Sequence, residues 1–280
     1  MELYSIPTGF FKLDGGAMFG VVPKTLWSKV HPADENNLCT WALRCLLIEE
    51  GDKLILVDNG IGDKQDARFF SHYYLHGDDN LNKSLAAHGF HRDDITDVLL
   101  THLHFDHCGG SIVREGDQLV PAFRNATYWS NTRHWKWATE PNDREKASFL
   151  KENILPIRAS GQLRFVDEQG GADAILPGLT LRLVYGHTDA MMLPQLVYKG
   201  QTVVFMADLL PSIHHIPMPW VMAYDMFPLT TLTEKKTFLE EAAAGGYVVF
   251  FEHDPRFECC LLEGTEKGIR SGKTFRLAEL

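Results

Sequence analysis

Residues 101–110, Thr101-His102-Leu103-His104-Phe105-Asp106-His107-Cys108-Gly109-Gly110, follow directly on the apolar run Val98-Leu99-Leu100. Three histidines and an aspartate thus sit within six positions, on the loop beyond the end of a short buried strand, a usual place for an α/β site. His102 and His104 are two apart, so on an extended segment both imidazoles point to one side and can hold a single ion. Asp106 and His107 follow after the chain turns and offer a carboxylate and an imidazole to a second position. The loop alone cannot complete two ions, because each needs roughly four ligands counting water.

Three later positions repeat the pattern of a metal-capable side chain just past an apolar run. His187 follows Leu181–Gly186, Asp208 follows Val203–Ala207, and His253 follows Tyr247–Glu252. Taken singly, each reads equally well as a capping or hydrogen-bonded residue. Together with the first cluster, they are four strand ends that could meet at one edge of a fold.

The rest of the chain supplies strands and helices for such a fold. Leu43–Ile48 and Leu54–Val57, around Glu49-Glu50-Gly51-Asp52, read as a hairpin ending in Asp58-Asn59-Gly60. Asn80–Ala87 has helical apolar spacing, with Gly89 where a helix would stop. Residues 127–154 read as a short strand followed by helices, an insertion over the scaffold around 131–158. Leu179–Val184, Leu196–Tyr198 and Val203–Met206 form a second run of strands. Thr231 and Glu234 read as a capping box for a helix closed by Gly245-Gly246, and Tyr247–Phe251 as a last buried strand. No repeat or linker interrupts the 280 residues, so the expectation is one domain over 1–280 with two β-rich halves.

Composition narrows the function. A formal net charge of −10 disfavours nucleic acid as the main partner. The chain shows neither a secretory signal pattern nor an apolar stretch of the ~18 residues that span a bilayer, and so reads as soluble and cytoplasmic without a membrane partner. Five cysteines, an odd number with two adjacent, read as buried reduced thiols rather than a disulfide framework. A homodimer is allowed.

At its metal-capable residues the chain resembles the metallo-β-lactamase superfamily. His102-Leu103-His104-Phe105-Asp106-His107 matches the HxHxDH signature, and the resemblance runs in order from Leu43 to His253. It implies an α/β (α+β) fold, the αββα four-layer sandwich, with two mixed sheets face to face and helices outside. It also implies roles: His102, His104 and His187 on one metal, Asp106, His107 and His253 on the other, and Asp208 bridging. Asp58 looks like the aspartate that orients a ligand histidine, although a turn former before Asn59-Gly60 is the alternative. The two divalent ions would be zinc, with iron, manganese or cobalt as other occupants, and Cys108 would only pack.

Such a site expects hydrolysis by a metal-bridging hydroxide, with the second role of the metals being to stabilise the developing oxyanion and Asp106 steering or carrying a proton. The segment Pro211–Pro228, rich in Met, Pro and aromatic residues, reads either as a buried connection or as an apolar pocket wall contributing His214, His215, Trp220, Met222 and Tyr224. Met18, Phe19, Phe69 and Phe70 are candidates for a second wall. Within the superfamily this segment resembles the branch of N-acyl homoserine lactonases and methyl-parathion-type hydrolases. The expected substrate is a small molecule with an apolar part, a lactone or related ester; the alternatives are a phosphotriester and a glyoxalase-II-like thioester. Where such lactonases often carry a tyrosine three residues after the bridging aspartate, this chain has Pro211, and His214, His215 or Tyr224 are candidate replacements.

Overall fold

The computed structural model describes residues 1–166 and 171–280. Its first sheet opens with β1 (Glu2–Asp14), β2 (Leu38–Glu50), β3 (Lys53–Val57) and β4 (Asp97–Leu99). A separate hairpin, β5 (Ile112–Glu115) and β6 (Gln118–Pro121), intervenes, and β7 (Thr127–Ser130) and β8 (Leu163–Phe165) complete the order β1-β2-β3-β4-β7-β8. β1, β2 and β3 are antiparallel neighbours, and β3, β4, β7 and β8 run parallel. The second sheet holds β9 (Thr180–Val184), β10 (Met191–Tyr198), β11 (Gln201–Phe205), β12 (Val248–Phe250), β13 (Cys259–Thr265) and β14 (Gly268–Phe275) in sequential order, with only β11 and β12 parallel.

Alternation along β3 shows how the layers stack. Ile55 and Val57 face a core shared with Met191, Leu193, Val204 and Phe205 of the second sheet. Leu54 and Leu56 face the opposite way, towards Leu81, Leu85, Trp135, Ile154 and Ile157 of the helices outside. A strand buried on both faces reads as a continuous apolar run, and β3 is one. On the second sheet, Phe238, Leu239 and Ala242 of the Pro228–Gly245 helix join the shared core. Helix, sheet, sheet and helix therefore form the four layers that the sequence led one to expect.

Several elements depart from that expectation. β1 and the β13–β14 hairpin extend the sheets at both ends of the chain, where no strands were anticipated. β1 buries only about every third residue, so it carries no clean alternation. The Thr231/Glu234 capping box does not form, because Pro228 starts the helix a turn earlier. Proline suits that first position, where no N–H is needed. Glu234 instead accepts the backbone N–H groups of Tyr185 and Gly186, at 2.7 and 3.0 Å, and so holds the turn that leads into His187. The stretch 131–158 contains two helices, Thr132–Thr139 and Lys151–Ala159. All five cysteines are free and buried.

Candidate metal centre and cavity

The C-terminal ends of β3, β4, β9, β11 and β12 deliver their next residues to one edge. Asp58, beyond β3, adopts φ 55° and turns its carboxylate back onto β4, accepting Thr101 N–H at 2.8 Å and Thr101 Oγ1–H at 2.7 Å. This fixes the chain just before His102. Leu103 points into the helix-side core, leaving His102 and His104 to share the other side. His104 then ends the extended run, and its carbonyl accepts from His107 and Cys108 as the short Phe105–Cys108 helix begins.

Seven side chains turn an atom inwards. His104 Nδ1 lies 3.1 Å from His102 Nε2 and 3.2 Å from His187 Nε2. His253 Nε2 lies 3.1 Å from His107 Nε2. Asp208 reaches both groups, with Oδ2 3.1 Å from His187 Nε2 and Oδ1 3.1 Å from His253 Nε2. Asp106 Oδ2 stands further off, 3.8 Å from His107 Nε2 and 3.9 Å from His253 Nε2. Candidate ligand atoms within the set His102, His104, His187 and Asp208, and within Asp106, His107 and His253, all lie inside 4.8 Å of one another.

The opposite ring nitrogens are engaged outwards. His104 Nε2 meets Glu145 Oε1 at 2.9 Å, His187 Nδ1 meets Asp225 Oδ1 at 3.0 Å, and His253 Nδ1 meets the Ala42 carbonyl at 2.8 Å. His102 Nδ1 faces Thr101 Oγ1 at 3.0 Å, and His107 Nδ1 faces Asp58 Oδ2 at 3.0 Å. An acceptor on the outer nitrogen keeps the proton there and leaves a lone pair facing in. Lone pairs 3.1–3.2 Å apart repel unless a proton or cation lies among them. The donor chemistry of five imidazoles and two carboxylates, and the buried Asp208 Oδ1 without a hydrogen-bond donor, fit divalent ions.

The electrostatics follow from burial and crowding. Burial, then the neighbouring His107 and His104, push His102 well below the usual imidazole value. Burial would raise Asp208, but His187, His253 and His107 hold it well below the carboxylate range. Burial likewise opposes protonation of His253, yet Asp208 lifts it to about 9. Glu252, which the sequence reading passed over beside His253, brings a second carboxylate to within 3.0 Å of His107 Nδ1. Its burial raises it to about 8, with His107 opposing and Asp58 adding. Glu145 is also new: burial opposes its ionisation, but the hydrogen bond from His104 brings it down to about 2.

His134 too was not foreseen. Its ring clamps two ligand-bearing loops, because Nε2 accepts Leu103 N–H at 2.9 Å and Nδ1 donates to the Asp189 carbonyl at 2.6 Å. No local pattern marks it, and its partners lie 31 and 55 residues away.

Over the inward-facing atoms lies a cavity of about 370 Å³. Its polar floor comprises His104, Asp106, His187, Asp208 and His253, with Glu145 beside them. Leu13, Met18, Phe105, Met222 and Met226 make it apolar, and Tyr73, Tyr224 and Arg144 complete the wall. Of the expected pocket residues, Met18, Met222 and Tyr224 lie on this wall. Phe19, Phe69, Phe70, Trp220, His214 and His215 do not line it, which corrects the expectation. Phe19 is fully buried and stacks on Trp27 and His215. His215 spends its nitrogens on Ser212 Oγ and the Met18 carbonyl, and His214 accepts from Arg256. Phe69 packs edge-on against Phe105, Phe70 packs against Phe69, and Trp220 packs edge-on against Phe19. Within Pro211–Pro228, only residues 222–224 and 226 reach the cavity. Cys108 is buried, with its thiol on the Leu103 carbonyl.

A family model described as the Metallo-beta-lactamase superfamily matches residues 44–253. An N-acyl homoserine lactonase from Bacillus thuringiensis is 26% identical over 197 residues, 67% of this chain and 66% of that protein, just under two thirds of its length. A probable metal-dependent hydrolase from Staphylococcus aureus superposes with a TM-score of 0.87 at 27% identity, covering 98% of each chain. The fold also matches that of AidC, a dizinc quorum-quenching lactonase solved with a product, with a TM-score of 0.79 at 21% identity over 98% of this chain and 95% of that one.

Proposed function

Because this chain belongs to the metallo-β-lactamase superfamily, whose model covers residues 44–253, we propose that it is a metal-dependent hydrolase that uses two zinc ions to open lactones of the N-acyl homoserine type or related esters. The observation that carries this reading is the convergence of five imidazole nitrogens and Asp208 beneath an apolar cavity, whose floor includes His104, His187, His253 and Asp208. His102, His104 and His187 would hold one ion, Asp106, His107 and His253 the other, and Asp208 both. When bound, the ions supply Lewis acidity for the ester carbonyl and acidify water near neutral pH.

The chain's own residues do the rest. Glu145, Asp225, Asp58 and the Ala42 carbonyl keep the ligand rings in one tautomer and orientation. Asp106, which stands further from its neighbours than Asp208 does, lies on the cavity floor, where its carboxylate can take the proton of the attacking water and pass it to the leaving alkoxide. Met18, Met222 and Met226 receive an acyl chain, and their unbranched side chains adapt to its length. Of the candidate replacements for the tyrosine absent at Pro211, Tyr224 is the one on the cavity wall, and Tyr73 joins it there. Neither hydroxyl has a hydrogen-bond partner among the described residues, so either can donate to a substrate oxygen.

The aromatic share of the wall, Tyr73, Phe105 and Tyr224, favours one second reading, a phosphotriester with an aryl leaving group. Both readings meet one test: metal content of the purified protein, then a panel of acyl homoserine lactones of several chain lengths, aryl esters, a paraoxon-type triester and a glutathione thioester. Two equivalents of zinc and the largest kcat/KM on a lactone are expected. A metal-free active protein overturns the mechanism, and a preference for the triester or thioester overturns the substrate class.

A further inference from the structure

The cavity over the candidate metal centre carries a group that ester hydrolysis leaves unused. Among the described residues, Arg144 is the only lysine or arginine on its wall. One Nη2–H of Arg144 donates to the Ala223 carbonyl, between the wall residues Met222 and Tyr224. Ala223 N–H in turn donates to the Ala17 carbonyl at 2.8 Å, so the guanidinium is tied to the rim where the Gly15–Phe19 helix meets residues 222–224. The nearby acids are engaged elsewhere. Asp143 pairs with Lys146 at 2.9 Å, Glu145 accepts from His104 and Trp137, and Asp106 and Asp208 face the ligand histidines. No ion pair reaches Arg144, and its side chain has no acceptor besides Ala223, among the described residues.

A second donor stands beside it. Ser148 is four residues further along a turn in which Lys146 N–H donates to the Asn142 carbonyl at 3.0 Å, so its side chain shares the face of Arg144 and lines the same cavity. The Ser148 hydroxyl has no partner among the described residues. A mostly apolar cavity takes its specificity from a few placed polar groups, and an anchored guanidinium with free N–H groups matches the two oxygens of a carboxylate. We propose, resting on the hydrolase reading for the scissile bond, that Arg144 and Ser148 bind a carboxylate at the far end of the substrate's acyl part, so that acidic esters or lactones are selected over neutral ones. The methylenes between the two ends lie against Met18, Met222 and Met226. Arg144 offers a single positive charge, which one carboxylate balances and a phosphate dianion exceeds.

The test has two arms, both on the metal-loaded full chain. Calorimetry, which needs no turnover, compares succinate, glutarate and adipate with butyrate, valerate and hexanoate, the straight-chain monoacids of equal carbon number. Arg144 is exposed at the rim, where water weakens an ion pair, so the best dicarboxylate should bind about fivefold more tightly than its monoacid. In Arg144→Gln that ratio should fall to within about twofold of unity. Loss of the Ala223 tether alone weakens both members of a pair and leaves the ratio as in wild type. The second arm compares kcat/KM for the 4-nitrophenyl half-ester of that dicarboxylate with the 4-nitrophenyl ester of its monoacid, where the same preference and the same loss in Arg144→Gln are expected. Equal affinities within every pair, or an undiminished ratio in Arg144→Gln, overturn the anion site. A larger Arg144-dependent gain for 3-phosphonopropionate than for succinate overturns the carboxylate assignment. An Arg144-dependent ratio in a protein that hydrolyses neither ester supports the anion site and overturns the hydrolase reading instead.

Discussion

Replacing His134 separates two contributions that this one buried ring makes. Burial, only partly offset by the hydrogen bond to the Asp189 carbonyl, lowers its pKa from 6.5 to about 4. A base whose folded pKa lies below its unfolded value binds fewer protons when folded across that window. Stability is then complete above pH 6.5 and falls as the pH drops towards 4. The full fall is about 3 kcal/mol, of which about 2 kcal/mol appears between pH 7.5 and pH 5. In His134→Gln the carboxamide can still accept from Leu103 N–H and donate to the Asp189 carbonyl, but it does not titrate. In His134→Ala both backbone groups lose their partner, at about 1–3 kcal/mol each, and a ring-sized void adds to this.

Urea unfolding of the three metal-loaded proteins at both pH values is the assay, and the ligand histidines common to all three cancel in the comparison. At the higher pH, His134→Gln should lie within about 2 kcal/mol of wild type and His134→Ala about 3–5 kcal/mol below it. Between the two pH values wild type should lose about 2 kcal/mol more than His134→Gln. If His134→Gln keeps the wild-type pH dependence, or if His134→Ala is as stable as wild type, the neutral clamp is refuted.

Two further substitutions probe the supports of the site. Glu145 accepts from His104 Nε2 at one oxygen and from Trp137 Nε1 at the other, at 2.9 and 2.6 Å. A carboxamide accepts at only one, so Glu145→Gln should weaken metal binding about 10-fold and Glu145→Ala up to about 100-fold in a chelator competition; wild-type affinity in both would remove Glu145 from the support of His104. Lys235 is fully buried and donates to the Pro217, Met218 and Trp220 carbonyls at 2.8, 3.3 and 2.9 Å. Lys235→Met should cost about 2–4 kcal/mol in unfolding experiments and raise KM more than it lowers kcat, because it frees the segment leading to Met222. An unchanged KM would show that this segment does not shape the cavity.

The two kinds of support differ in how visible they were beforehand. Asp58 was legible as an orienting aspartate because it ends an apolar strand in a chain already carrying the histidine signature. Glu145 and Asp225 were not, since each is one carboxylate among 37 acidic residues and meets its histidine only through contacts 41 and 38 positions away. The expected pocket held only in part, for the same reason. Phe19 and His215 have the composition of a cavity wall, but their stacking on each other turns them into the floor beneath Met18. Met222 and Tyr224, in the same segment, face the opening.

By itself, the sequence determined which atoms could meet a cation. The two-residue spacing of His102 and His104 and the apolar runs before His187, Asp208 and His253 are short-range features, governed by strand periodicity and by where a buried strand must end. Tertiary structure decided which way each ring presents its lone pair, which loop His134 ties to which, and which side chains line the cavity over the ions. Those outcomes depend on the packing of two sheets and their outer helices, and packing selects among chemically equivalent residues by distance, which no local pattern encodes.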